Sequence, residues 1–151
     1  MDKAMKSLIW FSLIPLVALA KIDCASDIDR ELADIERKLK GYHTVWQHTS
    51  TPQAHIQTLR YSDAKGVVRL IEVSMTNTKE QRKDSYYFAN QELFFVALTH
   101  KQPTQVQKLY FIHHQMVEWI DNGKAIDSKS KLFEQKSKAI QAFAQFLIQK
   151  D

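Results

Sequence analysis

Apolar positions recur along this chain with two periods, and the change from one to the other marks out its elements. Ile28, Leu32, Ile35 and Leu39 follow at spacings of four, three and four. That spacing lines them along one face of a helix over residues 26–40. Lys38, Lys40 and Gly41 close it with cations and a glycine suited to a left-handed end. From residue 44 onward the period shortens towards two. Val67, Arg69, Ile71, Val73 and Met75 alternate along one stretch, which puts all five on one face of a strand. Similar stretches cover residues 44–49, 54–61, 67–76, 81–89, 92–100, 106–112 and 116–120. Ser50-Thr51-Pro52, Asp63 to Gly66, Asn77 to Glu80 and Asp121-Asn122-Gly123 punctuate them. Loops this short cannot carry a parallel crossover, so successive strands run antiparallel. A helical period returns over residues 128–149. Leu132, Ile140, Phe143 and Leu147 form its expected stripe, widened by Phe133, Ala139 and Phe146, with Lys129, Lys131, Lys136 and Lys138 turned to water. The expected fold is α+β: an antiparallel β-meander of about six or seven strands with an N-terminal and a C-terminal helix. It forms a single domain over residues 27–150.

Residues 1–20 stand apart from this pattern. Lys3 and Lys6 precede an uncharged run, LIWFSLIPLVALA, over residues 8–20. Ala18 and Ala20 end it with the small-x-small spacing that a signal peptidase reads. A membrane span needs about 20 apolar residues, and this run stops at Lys21. The expectation is a secretory signal peptide over residues 1–20 and an exported chain, periplasmic in preference to secreted. Cleavage after Ser26 is a rival site, and an uncleaved segment tethering an envelope subunit is the alternative. Cys24 follows the signal as a lipoprotein cysteine does, but the charged Lys21-Ile22-Asp23 before it departs from a lipoprotein signal.

Within the strand region two segments echo each other. Tyr87-Phe88-Ala89-Asn90-Gln91-Glu92-Leu93-Phe94-Phe95-Val96 aligns with Tyr110-Phe111-Ile112-His113-His114-Gln115-Met116-Val117-Glu118-Trp119. Each reads as an aromatic strand end, a tight polar turn and an apolar return strand, which is a β-hairpin used twice. The string Tyr-Tyr-Phe-x-Asn-x-x-Leu over residues 86–93, with Met-Val-x-Trp-Ile-Asp-Asn-Gly-Lys further on, resembles hairpins of small exported bacterial proteins of uncharacterised function. The likeness covers residues 85–124 and departs from the pattern at Gln91-Glu92 and His114-Gln115. It implies a fold and a compartment, and no activity.

Composition narrows the chemistry. The chain has 151 residues, 44% hydrophobic and 25% charged, with a net charge of +4, the balance of a globular domain. Loss of residues 1–20 lowers that charge to +3. The cations are scattered, with no run of five, so nucleic acid is not an expected partner. One Cys allows no internal disulfide. With only Gly41, Gly66 and Gly123, no glycine-rich phosphate loop is present. Six histidines occur, none at helical ligand spacing. His113 and His114 are the candidate metal ligands, set against the plainer reading of surface histidines on a turn. No cofactor is expected. Asp29 with Glu31, and Asp34 with Glu36, lie two apart on a helix and do not converge.

The aromatic density carries the leading functional reading. Alternation sets Tyr86 and Phe88 against Tyr87, and Phe94 against Phe95, so aromatics are expected on both sheet faces. Tyr87, Phe94, Tyr110 and Trp119 are then candidates for a surface that binds an envelope protein, a glycan or an apolar ligand. The expected function is an exported, non-enzymatic binding protein. A small exported hydrolase, with acids or histidines gathered from separate strands, is the alternative from another class.

Overall fold

The computed structural model describes residues 22, 25–101 and 104–149. The expected signal peptide, with Ala18, Ala20 and Cys24, lies outside them. Helix α1 (Ala25–Lys38) continues into a 3-10 turn over Leu39–Gly41. Gly41 keeps a negative φ there and is not the left-handed cap its position suggests.

The strands follow as β1 (His43–Ser50), β2 (His55–Ser62), β3 (Val68–Thr76), β4 (Gln81–Ala89), β5 (Glu92–Lys101), β6 (Thr104–Ile112), β7 (Gln115–Asp121) and β8 (Lys124–Ala125). All pair antiparallel with their sequence neighbours in one eight-stranded sheet. The meander is therefore as expected, with β8 added after the Asn122-Gly123 turn. Helix α2 (Lys131–Gln149) completes the chain. Ser130 begins it, its hydroxyl accepting a hydrogen bond from the Phe133 amide.

The helices lie on opposite faces of the sheet. On one side Phe133, Ile140, Ala144 and Leu147 of α2 pack on Ile71, Tyr86, Val96, Leu109, Phe111 and Trp119. On the other, Ile28 and Ile35 of α1 pack on Leu70, Phe94 and Phe95, with Tyr61, Tyr87 and Tyr110 around them. Two corrections to the helical patterns follow. The buried stripe of α2 runs through Phe133, Ile140, Ala144 and Leu147, while Leu132, Phe143 and Phe146 are exposed. A helix with apolar residues on most of its faces offers several stripes, and the sheet selects one. Lys136 is only partly turned to water: its ammonium sits 5.3 Å from the centre of the Trp119 ring.

Three hairpins open at one end of the sheet, and each carries an extra residue in its returning strand. Tyr61 pairs with Leu70 and Ser62 with Val68, leaving Arg69 unpaired. Tyr87 pairs with Phe95 and Phe88 with Leu93, leaving Phe94. Tyr110 pairs with Glu118 and Phe111 with Met116, leaving Val117. These are β-bulges, and a bulge breaks strict alternation. Phe94 and Phe95 therefore both face α1, although alternation sets them on opposite faces. Arg69 likewise reaches α1, away from Ile71 and Val73 with which its spacing groups it. Tyr86 and Tyr87 face opposite sides as expected. The echoed segments are two hairpins with the same turn and the same bulge.

Candidate functional site

At the hairpin end, on the α2 face, the sheet and the C-terminal half of α2 diverge around a cleft of about 630 Å³. Its floor is apolar: Phe88, Leu93 and Phe111 from the strands, with Ala144 and Ile148 from the helix. Phe111, Phe88 and Ala144 are buried core residues, so the floor is continuous with the packed interior.

The rim comes from turns and from the helix. Lys65, Gly66 and Val67 belong to the β2–β3 turn, which Asp63 organises by accepting hydrogen bonds from the Lys65 and Val67 amides. Gly66 sits there at φ +78°, in the left-handed region that side chains rarely adopt. Gln91 and His114 each occupy the second position of a two-residue hairpin turn. Such turns need positive φ at both centres, and Asn90, Gln91, His113 and His114 adopt 51°, 67°, 48° and 62°. Gln141, Gln145 and Gln149 follow at four-residue spacing on α2 and line the opposite wall. Arg60 of β2 closes the far side, its guanidinium donating to the Leu147 carbonyl at 2.7 Å.

The chemistry of this lining is one-sided. Arg60, Lys65 and His114 supply cationic or proton-bearing groups, and four glutamines supply amides. Among the described lining residues none is a carboxylate, a hydroxyl or a thiol. A second depression of about 760 Å³ lies beside the end of α1. Within it Asp34 is paired with Arg37 and Lys38, and Arg69 with Glu31.

The residues expected to form an aromatic binding surface lie under the helices. Phe94 and Trp119 are 1% and 4% exposed and present no face to a partner. Tyr87 and Tyr110 are half-buried beneath α1. Phe95 packs edge-on to Tyr110 with ring centres 5.0 Å apart, and Tyr87 packs on Phe94 and Phe95. Burial pushes the Tyr87 phenol up to about 12, with Glu36 and Glu72 adding to the rise. Burial also raises Tyr110, helped by Glu118 and Asp29. Both phenols are therefore neutral packing groups. Trp119 lies under Lys136, whose pKa is lowered chiefly by desolvation.

His113 and His114 are exposed on the β6–β7 turn, and His114 stands 3.4 Å from a Glu92 carboxylate oxygen. Among the described residues no group of three His, Cys, Asp or Glu is placed to hold a metal ion. The two buried carboxylates described are both paired: Glu31 with Arg69, and Asp84 with both the Nε and Nη2 of Arg82 at 2.8 and 2.6 Å. No described helix is long and apolar enough to cross a membrane.

Of the cleft residues only His114 is among the candidates that the sequence singles out, and there as a metal ligand. One signal for them is present there, the glutamine line at 141, 145 and 149. Arg60, Lys65 and Gln91 have none, since they are brought together only by the meander. No protein-family model, curated protein or solved structure matches the chain.

Proposed function

We propose that this chain is an exported, non-enzymatic binding protein whose ligand is a small amphiphilic anion held in the cleft beside α2. The observation that carries this reading is the lining: an apolar floor under a rim of Arg60, Lys65, His114 and glutamine amides. An apolar body would displace water from Phe88, Leu93 and Phe111. A carboxylate or phosphate head would meet cations and amide donors at the mouth. The same lining supports binding over hydrolysis, because the described residues that line the cleft bring no hydroxyl, thiol or carboxylate beside a base. Export rests on the charged start, the apolar run and Ala18 and Ala20.

Dodecanoate titrated into the chain starting at Lys21 tests the ligand. It is expected to bind one to one with a dissociation constant of roughly micromolar order. Dodecyltrimethylammonium, the same tail with a cationic head, is expected to bind about tenfold more weakly or worse. Gln145→Trp, at an exposed helix position on the wall, fills the cleft and abolishes binding. Equal affinity for the two heads, or unchanged affinity in Gln145→Trp, overturns the reading. Fractionation with an intact mass tests export: a soluble exported species starting at Lys21 or Asp27 is expected. A membrane-bound species retaining Met1 would put the tethered-subunit reading first.

A further inference from the structure

The two edges of the sheet are built differently. Beyond β7, the short β8 covers Ile120 and Asp121, and the Ile126 amide donates to the Trp119 carbonyl. The rest of β7 carries the Val117 bulge and an exposed Glu118. Short covering strands, bulges and charges are the devices by which sheet edges avoid pairing with other chains.

The β1 edge has none of them. Its eight residues, HTVWQHTS, contain no charged side chain and no proline. Its register with β2 runs unbroken from His43 opposite Ser62 to Ser50 opposite His55. Neither helix covers it: Trp46 is 60% and Val45 47% exposed, on opposite faces. We propose that β1 is the interface of a two-fold symmetric dimer, in which the β1 strands of two copies pair antiparallel about Trp46 and join the two sheets.

A second copy is the occupant this strand fits. Pairing centred on Trp46 sets Trp46 against Trp46, Val45 against Gln47 and Thr44 against His48. Opposed residues then share a face, and no Asp, Glu, Lys or Arg meets its like. Both strands are necessarily the same length, so the ladder is filled on both sides. Head-to-tail stacking of β1 on the other edge is blocked by the bulge and by β8, which makes the contact isologous and closed. One ladder over residues 43–49 with two tryptophans lies at the small end of specific interfaces, so a dissociation constant on the order of 10 µM is expected.

Sedimentation equilibrium across that concentration range tests the proposal. The wild-type chain is expected to pass from monomer to dimer. Trp46→Lys with Val45→Lys, both at exposed positions, is expected to remain monomeric with unchanged thermal unfolding. Amide hydrogen exchange adds a readout on the wild-type protein alone: protection across residues 43–50 is expected to rise with concentration. A wild-type chain that stays monomeric at about 1 mM overturns the proposal. So does a dimer that survives the double substitution, or whose concentration-dependent protection leaves β1 untouched.

Discussion

Arg69 and Glu31 form an ion pair sealed between the sheet and α1, with side chains only 12% and 10% exposed. Arg69 reaches α1 because it is the extra residue of the β3 bulge. Glu31 meets it because it lies on the inward side of α1 between Ile28 and Ile35, both fully buried. The pair ties the N-terminal helix to the sheet at one place.

Removing one partner leaves the other charge buried alone. Glu31→Ala is expected to destabilise the fold by about 3–5 kcal/mol, the range for breaking a buried pair. Replacing both residues with leucine is expected to recover most of that loss. Urea unfolding of the two variants checks both statements, and a loss under about 1 kcal/mol for Glu31→Ala would show that the pair is solvated.

The His113-His114 turn holds two side-chain-bearing residues at positive φ. A left-handed conformation costs roughly 1–2 kcal/mol for such a residue, and Asn-Gly suits this turn best. His113→Asn with His114→Gly is therefore expected to stabilise the protein by about 1 kcal/mol. The variant gives up the His114–Glu92 pair, which is exposed on both sides and contributes little. A rise in the urea midpoint is the measurement.

All five tyrosines have phenols raised by burial. In the unfolded chain they ionise near pH 10, while in the fold Tyr87 keeps its proton to about 12. Above pH 10 the unfolded state thus binds fewer protons than the native one, and stability falls as pH rises. This contribution is fully present below about pH 10 and is lost through about pH 12. Urea midpoints at successive alkaline pH values are expected to fall in that window. Absorbance at the phenolate band is expected to rise with unfolding, not before it.

Arg60 joins β2 to the last turn of α2 through the Leu147 carbonyl. Arg60→Met keeps the side-chain stem and removes the donor. It is expected to cost about 1.5–3 kcal/mol, the range for a hydrogen bond to a charged group. It is also expected to speed amide exchange in the last turn of α2 relative to its first turns. The cleft wall loosens with that turn, so dodecanoate affinity falls in the same variant.

The strands and helices are legible because each is announced locally. Val73 and Met75 alternate, Ile28, Leu32 and Ile35 follow a helical step, and Asn122-Gly123 marks its turn. Failures of the pattern have common causes. Alternation puts Phe94 and Arg69 on the wrong face because a bulge adds one residue and inverts the parity of those before it. Helical spacing sets Leu132 and Phe143 in the α2 core because that helix carries apolar residues on several faces, and Ala144 is too small to stand out in a sequence. Trp119 and Phe94 look like binding aromatics in the sequence because density alone does not say which faces the helices cover.

The sequence by itself determined the meander, its neighbour-to-neighbour order and the two terminal helices. Short loops and local periodicity leave the chain no other arrangement. Tertiary structure decided where the bulges fall, which stripe of α2 is buried and that both sheet faces are covered. It also decided that Arg60, Lys65, Gln91, His114 and Gln145 stand around one cleft. Those outcomes depend on contacts between residues far apart in the chain, whose energies of packing and pairing no local pattern records.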